Sequence, residues 1–164
     1  MKVLFLDIDG VLNSYEYDLR RDWRAEADID ETRLPLIRRI VEQTGARIVL
    51  TSARRCHLDE ELRAADSEGE YLLRTFERFG LRIFGKTPDL GIGADRGAEV
   101  AAWLAKQRER VVFAVLDDAQ PDDFCACGTG GMRSRLVRTD PRAGRGLEEA
   151  HAQNVIALLN GEEE

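Results

Sequence analysis

The sequence alternates short apolar runs with longer stretches that have helical spacing. The apolar runs are residues 3–6, 48–50, 81–84, 111–116 and 136–137, of which 81–84 is the weakest. Strands that alternate with helices along a chain are typical of a parallel sheet joined by crossover helices. The pattern therefore predicts an α/β fold in which a five-stranded parallel sheet lies between layers of helices.

The helices are predicted from apolar spacing and from stop signals. Apolar residues within 34–41 fall on one helical face, and Gly45 follows as a stop. Other helices are predicted after Asp95, between residues 147 and 159, and over residues 58–79 with a break near Gly69. Residues 119–135 are rich in Gly and Asp and are predicted to form a loop at one end of the sheet.

Composition limits the class of protein. A chain of 164 residues is about the size of one domain, so we expect a single domain over residues 1–164. No apolar run approaches the roughly 20 residues of a membrane helix, and Asp7 comes too early for a signal peptide, which favours a cytoplasmic location.

The formal charge of −7 argues against broad adhesion to nucleic acid, although a local basic patch is compatible with it. Cys125 and Cys127 are interpreted as loop thiols rather than as part of a zinc site or a disulfide framework.

Two pairs of carboxylates follow predicted strands. Asp7 and Asp9 follow the first run, and Asp117 and Asp118 follow the fourth. The carboxyl ends of parallel strands meet at one edge of a sheet, where ligands of α/β proteins gather. Carboxylates crowded at one edge repel one another unless a cation lies between them.

The first pair alone leaves several interpretations open. Asp-x-Asp-Gly also fits a calcium loop or a simple turn. The second pair favours an oxygen-rich site for Mg²⁺, which usually binds beside a substrate phosphate. Four solvated aspartates at strand ends are the remaining alternative.

Several segments resemble the haloacid dehalogenase (HAD) superfamily of phosphatases. Residues 5–13 (FLDIDGVLN) resemble its first motif and residues 115–118 (VLDD) its last, while residues 48–52 look like the second motif and Arg96 stands in the place of the basic third one. Within the superfamily, residues 52–54 and 96–100 are similar to segments of the HAD domains of RNA-repair proteins and of the phosphatase half of polynucleotide kinase-phosphatases. The resemblance implies a Rossmann-like, three-layer fold.

The resemblance also implies a mechanism. Asp7 would attack phosphorus and form an aspartyl-phosphate, and Asp9 would protonate the leaving oxygen and then activate water. Mg²⁺ would be held by the side chains of Asp7 and Asp118, by the backbone carbonyl of Asp9, and by Asp117 directly or through water. The remaining catalytic candidates are Thr51 and Ser52, as hydrogen-bond donors to the phosphoryl group, and Arg96, which would offset the charge that develops there. Lys86 is a candidate for substrate binding and competes with Arg96 for contact with the phosphoryl group.

The substrate is predicted from charge and from the lack of room for a cap. Arg54 and Arg55 are candidates for phosphate binding, because a guanidinium group suits that anion. Residues 14–28 and 86–94 are long enough for a flap but not for a large cap domain. The flap interleaves aromatic and basic residues, namely Tyr15, Tyr17, Arg20, Arg21, Trp23 and Arg24. This composition is suited to stacking on bases and to contact with phosphates, and it is equally compatible with a small flap packed on the core. An open site suits a nucleic-acid end, such as a 3′-phosphate, or a phosphoprotein.

Two other classes of function are compatible with the residues. One is a metal-dependent binding or regulatory module of a nucleic-acid repair system, without turnover. The other is a phosphoryl-accepting domain like a response regulator, which would place its acceptor aspartate on a middle strand. The presence of both Asp7 and Asp9 favours catalysis, because binding alone needs no nucleophile beside an acid. The sequence gives no oligomeric state.

Overall fold

The computed structural model describes residues 1–22, 28–91, 94–124, 131–140, 142 and 146–161. Five parallel strands form one sheet in the order β3-β2-β1-β4-β5. The strands are β1 Lys2–Leu6, β2 Arg47–Leu50, β3 Ile83–Lys86, β4 Val112–Asp117 and β5 Leu136–Arg138. The predicted α/β fold with a five-stranded parallel sheet is confirmed.

Register sets which residues meet at the carboxyl edge of the sheet. Leu6 at the end of β1 pairs with Leu50 of β2 on one side and with Leu116 of β4 on the other. Strands β1 and β2 therefore end level and β4 ends one residue later, so the residues at their carboxyl ends emerge side by side.

Helices cover both faces of the sheet. They are α1 Tyr15–Arg20, α2 Leu34–Thr44, α3 Ser67–Arg78, α4 Arg96–Ala105 and α5 Glu149–Asn160. Leu4 and Leu6 of β1 belong to the apolar cluster that includes residues of α2, α3 and α5, whereas Val3 and Phe5 belong to the cluster that includes Val100 of α4. Successive β1 side chains point to opposite faces, so one strand supplies both cores of a three-layer fold.

Two predicted elements are wrong in their limits. Only the second half of residues 58–79 is helical, and Gly69 lies inside α3 rather than at a break. Asp66 caps α3 by accepting a hydrogen bond from the Gly69 N–H at 3.0 Å. A Cβ at Gly69 would lie 2.1 Å from the His57 carbonyl oxygen, so glycine serves close packing here. Strand β3 begins two residues later than predicted, because Leu81 lies before the strand as a core residue.

The segments that could hold a cap are short. The described part of residues 14–28 contains the six-residue helix α1, which contributes no buried residue to the core.

No helix in the described part of the chain combines the length and the apolar character that a membrane span requires. The single-domain and cytoplasmic assignments stay predictions.

Candidate active site

The loop after β1 is held in place by buried apolar residues and by Asn13. Ile8, Val11 and Leu12 are fully buried. Asn13 accepts a hydrogen bond from the Gly10 N–H at 2.8 Å and donates one to Asp9 at 3.0 Å. The loop is therefore fixed both by its buried apolar side chains and by the Asn13 hydrogen bonds, and this orients its two carboxylates.

Gly10 allows the loop to approach the end of β4. Its φ of +81° lies in the left-handed region, and a Cβ at this position would lie 2.3 Å from a carboxylate oxygen of Asp118. The Gly10 carbonyl also accepts a hydrogen bond from the Thr139 hydroxyl at 2.9 Å. No larger residue fits without displacing Asp118.

Asp7, Asp117 and Asp118 form a cluster in which one carboxylate oxygen from each lies within 4.8 Å of the others. Asp7 and Asp117 are almost completely buried. Burial, followed by the nearby charge of Asp117, raises the pKa of Asp7 from 3.8 to about 7. Burial is also the main cause that raises the pKa values of Asp117 and Asp118. Such a cluster is unfavourable as a set of anions unless a proton or a cation compensates it.

The donors in this cluster suit a hard divalent cation. Asp117 Oδ1 accepts a hydrogen bond from the Ala119 N–H, but its buried Oδ2 atom has no hydrogen-bond partner among the described residues, since the Arg96 Nε atom that faces it lies 3.6 Å away. A buried carboxylate oxygen without a donor is expected to have another ligand. Oxygen-only donors at one edge of the sheet fit Mg²⁺, so the residues present agree with the predicted metal.

The Asp9 side chain lies apart from this cluster and pairs with Arg54. Arg54 Nη2 donates to Asp9 Oδ1 at 2.7 Å and Arg54 Nε donates to Oδ2 at 3.0 Å. Arg54 also forms an ion pair with Asp28. Partial burial raises the pKa of Asp9, but hydrogen bonds from Arg54 and Asn13 outweigh it and leave the pKa below its ordinary value. This pairing of the side chain is compatible with a metal contact through the Asp9 backbone carbonyl, which the resemblance implies.

Two residues with hydroxyl groups, Thr51 and Ser52, follow the end of β2. Thr51 and Ser52 are fully buried. A hydrogen bond with the Ser52 side chain is one of the factors that lower the pKa of Asp7 against its burial. The Thr51 hydroxyl has no hydrogen-bond partner within the described ranges, although the side chain is buried.

Arg96 reaches the carboxylate cluster, and Lys86 does not. Arg96 begins α4, donates to the Thr51 carbonyl, and places its Nε 3.6 Å from Asp117 Oδ2. Lys86 donates to the Leu58 carbonyl at 2.7 Å and pairs with Glu60 at 3.2 Å. The structure thus brings Arg96, of the two competitors, to the edge where Asp7 lies.

Arg55 has structural partners rather than a place in the cluster. It is buried, and it donates to the Thr51 carbonyl at 2.8 Å and to Glu99 at 2.6 Å. Arg55 and Lys86 line a cavity of about 500 Å³ that is separate from the carboxylates. Their predicted contact with a substrate phosphate would require both to exchange these partners.

An open cavity of about 560 Å³ lies over the cluster. Its walls include Asp7, Asp9, Asp118, Arg54 and Arg96, together with Tyr15 and Arg21 from the predicted flap. Trp23 and Arg24 of that flap lie outside the described residues, as do Cys125 and Cys127.

Sequence reasoning missed three residues around this site. Asn13 stands in the first motif, but it was given no role there. Asp28 pairs with both Arg54 and Arg21, and Glu99 holds Arg55. Asn13 could have been recognised within the motif. Asp28 lies 26 residues from Arg54, and Glu99 lies 44 residues from Arg55, so no sequence pattern indicates these pairs.

Comparisons with known proteins identify the family. No curated protein and no solved structure matches the chain significantly. The family described as "HAD domain in Swiss Army Knife RNA repair proteins" matches residues 3–152, which include every residue of the cluster. This match confirms the resemblance to HAD domains and to those of RNA-repair proteins. The chain belongs to the family of HAD domains found in Swiss Army Knife RNA repair proteins.

Proposed function

We propose that the protein is a Mg²⁺-dependent phosphomonoesterase that acts through an aspartyl-phosphate on Asp7. The observation that carries this proposal is that the carboxylates lie in two different environments. Asp7 lies in a buried cluster with Asp117 and Asp118, whereas Asp9, two residues on, is held apart by Arg54. In the metal-free protein, burial raises the pKa of Asp7, whereas hydrogen bonds from Arg54 and Asn13 hold the pKa of Asp9 below its ordinary value. The two roles therefore also require a cation beside Asp7, which favours its ionised form, and the release of Arg54 from Asp9.

Mg²⁺ would be held by the side chains of Asp7, Asp118 and Asp117 and by the Asp9 carbonyl. When bound, the ion supplies positive charge that offsets the substrate phosphate and the carboxylates. Arg96 adds a fixed positive charge beside Asp117, where negative charge accumulates on the phosphoryl oxygens.

The reaction has two steps. A carboxylate oxygen of Asp7 forms a bond to phosphorus while the bond from phosphorus to the leaving oxygen breaks, and Asp9 gives its proton to that oxygen. Asp9 then accepts a proton from a water molecule that attacks phosphorus, which releases inorganic phosphate and regenerates Asp7. We assign the Thr51 and Ser52 hydroxyls as donors to the phosphoryl group, the roles that the resemblance implies for them.

Arg54 must change partners during this cycle. Its two hydrogen bonds favour the ionised form of Asp9, yet the first step requires Asp9 to carry a proton. A substrate phosphate that attracts Arg54 would release Asp9 for protonation. This exchange links phosphate binding by Arg54 to activation of Asp9.

We further propose a nucleic-acid end, such as a 3′-phosphate, as the substrate. The matching family is described by its occurrence in RNA-repair proteins. The cavity over the cluster is open and has guanidinium groups in its walls, which suits the end of a polymer.

A substrate panel tests both parts of the proposal. It comprises p-nitrophenyl phosphate, 3′- and 5′-phosphorylated oligonucleotides, mononucleotides and sugar phosphates, and the readout is release of inorganic phosphate. Activity should require Mg²⁺ and should be absent in Asp7→Asn, with the highest kcat/KM on the 3′-phosphorylated oligonucleotide. Binding of that oligonucleotide without hydrolysis of any ester would favour the non-catalytic module, and equal kcat/KM on mononucleotides would reject the nucleic-acid substrate.

A further inference from the structure

Tyr15 is an exposed aromatic residue in the wall of the catalytic cavity. Its side chain is 64% exposed, although it lines the same cavity as Asp7, Asp9 and Asp118. An exposed aromatic ring offers a large apolar face to any ligand that enters, at a low cost in conformational entropy. None of the catalytic and metal-binding roles assigned above uses this ring.

The helix that carries Tyr15 is anchored through its polar side. The Ser14 hydroxyl caps α1 by accepting a hydrogen bond from the Tyr17 N–H at 3.2 Å. The Tyr17 hydroxyl donates to the Ile29 carbonyl at 3.3 Å, and Arg21 pairs with Asp28 at 3.2 Å. These contacts hold α1 against the body of the protein while the Tyr15 ring stays outside the core.

The position of Tyr15 is also tied to the catalytic loop. It follows Asn13 by two residues, and Asn13 is bonded to both Gly10 and Asp9. The backbone at Tyr15 therefore lies close to the catalytic loop, and the residue lines the cavity over the carboxylates.

We propose that Tyr15 determines specificity by stacking on the nucleobase of a phosphorylated nucleoside end while its phosphate lies at Asp7. This inference rests on the proposed phosphatase function and adds the part of the substrate beyond the phosphate. The leaving group must extend from the carboxylates towards the open side of a cavity whose volume lies within the usual range for ligand sites. Stacking on an aromatic side chain contributes substantially to the binding free energy of a base, and it tolerates any base because each has a π-face.

Leu19 provides a matched control on the same helix. It lies four residues after Tyr15, is 70% exposed, and does not line the cavity as the described residues define it. Tyr15→Ala and Leu19→Ala therefore remove similarly exposed apolar groups, but only the first changes the wall of the site.

The test compares two substrates that differ only in the base. They are thymidine 3′-phosphate and 1-O-methyl-2-deoxyribose 3-phosphate, and the readout is the ratio of their kcat/KM values with Mg²⁺. We expect a ratio of about ten in the wild type, in Tyr15→Phe and in Leu19→Ala, and a ratio near one in Tyr15→Ala.

Other outcomes overturn the inference in separable ways. A wild-type ratio near one, or a ratio that survives Tyr15→Ala, removes the stacking role while hydrolysis of p-nitrophenyl phosphate leaves the phosphatase function standing. A higher kcat/KM on phosphotyrosine than on thymidine 3′-phosphate, with the same dependence on Tyr15, assigns the ring to an aryl leaving group instead. Failure to hydrolyse any phosphate ester with Mg²⁺ overturns both proposals.

Discussion

The metal-free protein should lose stability as the pH rises, because its buried carboxylates resist ionisation. The pKa of Asp7 is raised from 3.8 to about 7 in the folded state. Between these values the unfolded chain has released the proton that the folded chain keeps, so the free energy of unfolding falls as the pH increases. Below the pKa that Asp7 has in the unfolded chain, both states hold the proton, and this loss of folding stability is absent.

The size of this effect follows from the difference between the two pKa values. One pKa unit is equivalent to about 1.4 kcal/mol, so the full penalty approaches about 4 kcal/mol, of which about 3 kcal/mol develops between pH 5 and pH 8. For a chain of this length that loss corresponds to a decrease in Tm of about 5–10 °C. Asp117 and Asp118, whose pKa values are also raised, act in the same direction.

The assay is thermal unfolding followed by circular dichroism in excess chelator at pH 5 and pH 8. Carboxylates with lowered pKa values, Asp9, Asp59, Asp66 and Glu149, lose their contribution only at lower pH and leave this window unaffected. Asp7→Asn is the control, since it removes the titrating group and one like charge beside Asp117. Its Tm should change much less between the two pH values than the wild-type Tm.

Mg²⁺ should reverse the trend, because ligand carboxylates must be ionised to bind it. The added ion should raise the Tm more at pH 8 than at pH 5. A metal-free wild-type Tm that is constant or rises from pH 5 to pH 8, or an Asp7→Asn variant with the same pH dependence, would refute the reasoning.

Three further predictions concern single residues. Arg96→Ala should lower kcat on p-nitrophenyl phosphate by on the order of a hundredfold, as is typical for loss of one charged transition-state partner; a greater loss in Lys86→Ala would exchange the two roles. Asp9→Asn should lower the rate of aspartyl-phosphate formation, measured in single-turnover experiments, by about 10²–10⁴-fold on an alkyl phosphate, but far less on p-nitrophenyl phosphate, whose leaving group needs little protonation; equal losses of this first-step rate on both esters would exclude Asp9 as the acid. Gly10→Ala should reduce Mg²⁺ affinity, measured by calorimetry, because its Cβ would displace Asp118. Gly45→Ala has a similar φ of +69° but open space around it, so it should lower stability by about 1–2 kcal/mol without changing that affinity.

The sheet could be predicted from sequence because its strands are short apolar runs bounded by polar residues. Leu6, Leu50 and Leu116 were each placed correctly at or next to a strand end, and the order of polar residues after them then follows from parallel pairing. The start of α3 could not be predicted from apolar spacing, since it depends on Asp66 as a cap and on Asp59, which accepts hydrogen bonds from the Glu61 and Arg63 N–H groups in a turn.

The site was predictable where residues are adjacent in sequence and unpredictable where they meet only through folding. The motif residues Asp7 and Asp9 were recognisable, but the pairing of Arg54 with Asp9 and Asp28 joins three separate segments. The same holds for Arg55, whose partner Glu99 comes from α4. A guanidinium group next to a strand end suits both a phosphate and a buried carboxylate, and only the tertiary structure distinguishes the two.

Trapping the covalent intermediate tests the nucleophilic role of Asp7 most directly. The enzyme is mixed with substrate and Mg²⁺, quenched in acid, in which an acyl phosphate survives, and reduced with borohydride, which converts an aspartyl-phosphate to homoserine. Trypsin then releases residues 3–20, and fragmentation of this peptide locates the modified residue. We predict homoserine at position 7, formed only with substrate and Mg²⁺; homoserine at another aspartate, or turnover without any trapped residue in the wild type, would contradict the assignment.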